Sequence, residues 1–214
     1  MNNKKLMKVL GLLAVVALVA ALLPVSPVKA AATLCVGPTT EGCFATIPGA
    51  VNEADDGDMI YIKAGTYADN ISISKQLNII GEVDEAGKPL PVITGTLSAS
   101  GLTGKTWSIE NLKFISGGQD SISLTNGGNL TVSNCIFDGV GDNSYRAIQA
   151  SGSNQLTVEN STFQNGWYVS LQGKYTSLIV KNSIFTNVKS GINVQGPAGN
   201  TVTIDNTDFS VIAR

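Results

Sequence analysis

The chain has 214 residues, with 14 Lys and Arg against 16 Asp and Glu and no His. The missing imidazole excludes a Ser-His-Asp triad, imidazole acid–base catalysis and His-ligated zinc. A formal charge of -2 with no basic stripe argues against nucleic acid as a partner, and the length suffices for one domain with a sizeable core.

Residues Met1–Ala30 read as a signal peptide. Lys4, Lys5 and Lys8 form a basic start, residues 9–23 an apolar run, and Val28-Lys29-Ala30 a cleavage site with small residues. The run is shorter than the ~20 residues that span a bilayer. The expectation is an exported protein, secreted or displayed at the cell surface, with no membrane attachment after cleavage. Loss of the leader removes four Lys and no acids, leaving 10 basic against 16 acidic side chains, a charge of -6, on residues 31–214.

Cys35 and Cys43 flank a Gly- and Thr-rich loop. In an oxidising compartment they are expected to form a disulfide that stabilises this end by about 2 to 3 kcal/mol. Residues 44–54 predict a short helix, with Ile47, Ala50, Val51 and Ala54 on one face and Pro48 in its first turn. Its expected role is to cap an open end of β-structure. Strands are predicted at residues 59–63, 71–73, 77–81 and 91–96. Residues 82–90 are read as a projecting loop, and residues 97–106 as a Ser- and Gly-rich connection.

From residue 107 the chain repeats. WSIENLKF, LTVSNCIF, LTVENSTF, LIVKNSIF and VTIDNTDF place Asn at 111, 134, 160, 182 and 206 and Phe at 114, 137, 163, 185 and 209. A period of this length marks a solenoid, and the alternation of apolar and polar residues is that of strands. A second strand follows each Phe, at Ile122 and Leu124, Ile148 and Ala150, Val169 and Leu171, and Ile192 and Val194. The predicted fold is all-β, a right-handed single-stranded parallel β-helix over residues 31–214 with a short N-terminal capping helix. Stacked coils turn the five Phe into an internal ladder and the five Asn into a second, buried one at a bend. On that reading the N-x-S/T sequon at Asn160 is inaccessible, unlike those at Asn70 and Asn129. Cys135, in the slot after the ladder Asn, is read as a small buried residue. No capping helix follows the fifth repeat, so the β-helix is expected to continue beyond Arg214 or to be covered there.

The repeats, together with residues 46–82, resemble the right-handed parallel β-helix proteins of the pectin lyase-like superfamily. The resemblance implies the fold but no one activity, because that scaffold carries lyases, hydrolases, esterases and adhesins.

Candidate chemistry gathers at the turn between each Phe and the next strand. Gln119, Asp120, Tyr145, Arg146, Trp167, Tyr168 and Lys189 are expected at successive levels of one face, lengthened by an insertion at residues 141–144. This column is either a groove in which aromatic rings stack on sugar faces and polar groups bind hydroxyls or carboxylates, or a set of solvated turn residues. The main expectation is a non-catalytic protein that binds polysaccharide or another extracellular surface, without a cofactor.

Two catalytic alternatives use the same residues. A calcium-assisted polysaccharide lyase would take Asp120, Asp138 and Asp142 as oxygen ligands and Arg146 or Lys174 as base. For an esterase, QDSISL (119–124) and CIFDGVGDNSY (135–145) resemble segments of the pectin methylesterases, which implies Asp142 as the acid and Gln119 as an oxyanion donor. The level at which that family has its second aspartate holds Trp167-Tyr168-Val169 here, and its arginine-bearing segment is absent. A further alternative is a structural spacer within a larger surface protein.

Overall fold

The computed structural model describes residues 29–37, 41–140, 144–152, 154–196 and 200–210. Ala31–Arg214 is one compact unit, and the signal-peptide expectation falls almost wholly outside the described residues. Among the described residues no helix is long and apolar enough to cross a membrane.

The unit is a right-handed parallel β-solenoid of about seven turns with one short helix. Three parallel sheets of eight, seven and six strands run along it. A typical coil is Gly128–Ser133 in the first sheet, Ile136–Asp138 in the second and Ile122–Thr125 or its successor Arg146–Ser151 in the third. Alternation sends every second side chain inward, and register stacks like on like. In the first sheet Ile60, Ile79, Ile109, Val132, Val158 and Val180 are successive partners. In the third, Ile71, Leu97, Ile122, Ile148 and Leu171 are.

The expected Phe ladder fills the second sheet's inner side. Ring centroids from Phe114 through Phe137, Phe163 and Phe185 to Phe209 are 4.9, 4.7, 4.6 and 4.8 Å apart, with planes within 10° of parallel. This spacing is close to the inter-strand distance of about 4.8 Å, so backbone pairing and ring stacking impose the same repeat. The first four rings are buried. Phe209, read as buried from the repeat, is 40% exposed, because only one of its faces has a ring against it.

The Asn residues also stack, but they are not buried as expected. Asn160, Asn182 and Asn206 are exposed, and Asn111 and Asn134 only partly covered. What selects Asn is the backbone. All five have φ between 43° and 59°, the left-handed region that L residues avoid and Asn tolerates better than most. In each octapeptide two strands are therefore joined by a two-residue corner whose first residue is the left-handed Asn. Asn134 Nδ2 donates to Asn111 Oδ1 at 2.6 Å, and Asn206 Nδ2 to Asn182 Oδ1 at 2.8 Å.

The next position carries a ladder that the sequence hides. Ser161 and Ser183 Oγ donate to the carbonyls of Glu159 and Lys181 and accept the N–H of the preceding coil's Cys135 and Ser161. Cys135 Sγ donates to Ser133 O at 3.2 Å in the same way. Its thiol pKa is pushed up to about 12, mainly by burial.

At the N-terminal end the helix Ile47–Glu53 buries Ile47, Ala50 and Val51 and packs on the strands Thr33–Val36, Met59–Ile62 and Ile71–Ile73. It is shorter than predicted at both ends, because Phe44 bridges to Val36 and Thr46 accepts Gly49 N–H as N-cap. At the other end Lys75 Nζ donates to the carbonyls of Val51, Asn52 and Ala54, satisfying terminal acceptors. Cys35 and Cys43 form the expected disulfide.

Two further expectations are corrected. Residues 97–106 are not merely a connection, since Leu97–Ser100 is a strand whose Leu97 and Ala99 point inward; its two Ser masked the alternation. Residues 82–90 do not project freely. Asp84 Oδ1 accepts the N–H groups of Ala86 and Lys88, and Gly87 O accepts from Asn134 Nδ2 at 3.0 Å, folding the loop back onto the Asn corner.

Candidate functional site

The candidate column lies where each coil leaves the second sheet and enters the third. Ile122 is in register with Ile148 and Arg146 with Val169, and Tyr168 N–H donates to Tyr145 O at 2.9 Å. The rows are therefore Gln119, Tyr145, Tyr168, Lys189 and, beside it, Asp120, Arg146, Val169, Ser190.

Trp167 belongs to neither row. Lys189 N–H donates to Trp167 O, which sets Trp167 level with Val188 at an inward position, and both are fully buried. Its Nε1–H donates to Phe137 O at 3.1 Å. The expected exposed stacking ring is thus a core residue, displaced by one register step. Tyr168 takes that place, 42% exposed, with Lys189 Nζ 4.9 Å from its ring centroid.

Arg146 is held from three directions. Asp120 Oδ1 accepts its backbone N–H at 2.8 Å, Asp120 Oδ2 lies 3.7 Å from its guanidinium, and Gln172 Oε1 accepts its Nε–H at 2.9 Å. Gln119 Nε2 donates weakly to Asn70 Oδ1 at 3.4 Å, and Asn70 Oδ1 also accepts Thr96 N–H. Gln172 carries no signal in the repeat, and Asn70 stands out only as a sequon. Gln172 lies two strands along from Ser123 on the outer face of the third sheet.

Asp138 faces another neighbourhood. Its Oδ1 accepts Val140 N–H and Asn165 Nδ2, its Oδ2 accepts Gln164 Nε2, and Lys113 Nζ is 3.7 Å away. Burial acts to raise its pKa, but these hydrogen bonds and Lys113 outweigh it and hold the carboxyl below its ordinary value. A carboxylate so occupied has little left for a metal or a proton. Asp142 lies outside the described residues. Among those described, no three His, Cys, Asp or Glu side chains converge as a metal site; the expected calcium ligand set of Asp120, Asp138 and Asp142 lies partly outside them. Asp120 is engaged by Arg146, the residue proposed as base.

The model of the family described as right handed beta helix region matches residues 99–213, more than half of the chain. The chain belongs to this family. No curated protein sequence matches this β-helix. Among solved structures it is similar to the pectin methylesterase from Aspergillus niger in deglycosylated form, at 14% identity over 87% of this chain and 88% of that one, with a TM-score of 0.43. It is similar to a pectin methylesterase in complex with a hexasaccharide, at 12% identity over 86% and 82% and a TM-score of 0.40. It is also similar to pectin methylesterase PemA from Erwinia chrysanthemi, at 12% identity over 87% and 82% and a TM-score of 0.38.

Proposed function

We propose that this β-helix is an exported, non-catalytic polysaccharide-binding protein, and that the chain of a glycan lies along the row Gln119, Tyr145, Tyr168, Lys189. The observation that carries the reading is the pairing of an exposed Tyr168 ring, with Lys189 above it, and an Arg146 guanidinium fixed by Asp120 and Gln172 in the neighbouring row. A flat ring receives the apolar face of a sugar, while positioned donors bind its hydroxyls or carboxylates. Arg146 and Lys189 outnumber Asp120, which favours a glycan carrying some negative charge. The row members lie in turns, one to three residues ahead of the third-sheet strands whose pairing sets their levels.

The test is binding of the full chain to an array of acidic and neutral polysaccharides, with Tyr168→Ala and Arg146→Ala beside it. Each substitution is expected to weaken binding tenfold or more while leaving the unfolding midpoint nearly unchanged. Unaltered affinity in both variants contradicts this placement.

A further inference from the structure

A second recess lies at a different corner of the coil, where the third sheet hands over to the first. It has a volume of about 350 Å³ and is lined by Thr103 and Gly104, then Gly128 and Asn129, then Asn154 and Gln155, then Thr176. These are four successive coils, so at about 4.8 Å per step the recess runs roughly 14 Å along the solenoid axis. It is an elongated trough rather than a hole, and its volume is within the ligand-site range of about 300 to 1,000 Å³.

The backbone builds it. Gly128, at φ 73°, has no room for a side chain, because a Cβ there would meet the carbonyl oxygens of Leu102 and Lys105. That close approach brings residues 101–105 over the edge of the next coil as one wall, held by Asn129 N–H donating to Lys105 O and Leu102 N–H to Asn126 O. The floor is rigid as well. Asn154 is 1% exposed, and its side chain accepts Gly127 N–H at 2.6 Å and donates to Ser151 O and Lys174 O.

No lining residue is charged or aromatic. Lys105, beside the wall, is turned to Asp56 at 2.8 Å. The polar side chains among the lining residues are Thr103, Asn129, Asn154, Gln155 and Thr176, and the Thr176 hydroxyl donates to Asn154 O. Gln155 is exposed, and its amide offers both donors and an acceptor. Further along the same strands the outer row reads Glu110, Ser133, Glu159, Lys181, Asp205, three acids to one base, which disfavours a polyanion nearby.

From this geometry we infer a second binding site, distinct from the Tyr168 row, that takes a short stretch of neutral, hydroxyl-rich oligosaccharide along the solenoid axis. Side-chain amides and hydroxyls supply both donors and acceptors to sugar hydroxyls, and the lack of charge and of a flat ring selects for hydrogen bonding over stacking or ion pairing. It stands whether or not the Tyr168 row binds a glycan.

The experiment is isothermal titration of the full chain with cellohexaose, xylohexaose and mannohexaose, and with hexagalacturonate as the charged control. Four variants accompany it: Gln155→Ala, which removes an exposed amide; Thr103→Trp, which fills the trough from its wall; Lys88→Ala, an exposed side chain in the loop of residues 82–90, as the control; and Arg146→Ala at the other corner. The expected result is binding of at least one neutral hexasaccharide, weakened tenfold or more by Gln155→Ala and by Thr103→Trp and unchanged by Lys88→Ala. Loss in Arg146→Ala with retention in the first two assigns the binding to the Tyr168 row and overturns the inference. Absence of binding by all three neutral sugars overturns it too, and leaves the Tyr168 row to be judged on the charged control alone.

Discussion

Trp167 donates its indole N–H to the carbonyl oxygen of Phe137 in the preceding coil, 3.1 Å away, with none of its surface exposed. The ring therefore ties two coils together beneath the candidate binding row. Trp167→Ala is expected to cost about 3 to 5 kcal/mol, the range for emptying a packed aromatic site, and to affect glycan binding only through folding. Urea denaturation checks this; a loss below about 1 kcal/mol contradicts the burial.

The Phe ladder gives a graded prediction. Phe163 lies between two parallel rings and is fully buried, whereas Phe209 has one ring neighbour and is 40% exposed. Phe163→Ala is expected to cost about 3 to 5 kcal/mol and Phe209→Ala clearly less, about half or below. Equal losses in chemical denaturation would mean that the last ring is covered as well as the others.

Val140 holds φ 51°, a region that a β-branched side chain enters only under strain of about 1 to 3 kcal/mol. Val140→Gly relieves it, and is expected to raise stability by about 1 kcal/mol after allowing for glycine's greater freedom in the unfolded chain. Asn160, at φ 51° and exposed, provides the converse. Asn160→Gly is expected to be within about 0.5 kcal/mol of neutral and Asn160→Val to cost about 1 to 2 kcal/mol. Thermal unfolding of the three variants distinguishes this from a buried amide, for which both changes at Asn160 would be costly.

Asp138 sets an acid dependence. Its folded pKa is lowered beneath the ordinary 3.8, so its contribution to stability is complete above that value and is lost as pH falls through the folded one. Asp138→Asn should therefore show a shallower decline in urea midpoint than the parent chain below about pH 4. Cys135 has the opposite sign. With its thiol raised to about 12, stability is complete below the ordinary thiol value and falls as pH rises from there toward 12. Cys135→Ser, which places there the hydroxyl that Ser161 and Ser183 carry in the next two coils, should remove that alkaline loss at little cost near pH 7.

The period of Asn and Phe made the solenoid legible, because register in a parallel β-helix stacks equal positions and each stack has one chemical need. What escaped was whatever depends on a single register step or on backbone conformation. Trp167 and Tyr168 are adjacent, and only the pairing of Val169 with Arg146 decides which of them faces out. The Asn repeat was visible, but its cause is a left-handed corner and not burial. The recess at Thr103 and Gln155 arises from a backbone approach at Gly128, which uncharged residues do not advertise. Disulfide, helix cap and Phe ladder depend on local chemistry, and all three were readable.

The most direct measurement for the proposed function is incubation of the full chain with each polysaccharide that it retains, with calcium and with chelator, followed by analysis of the soluble products. Retention in both conditions, with no unsaturated sugar, methanol or shortened chains released, is the predicted result. Release of any of these, or failure to retain any polysaccharide, would contradict non-catalytic glycan binding.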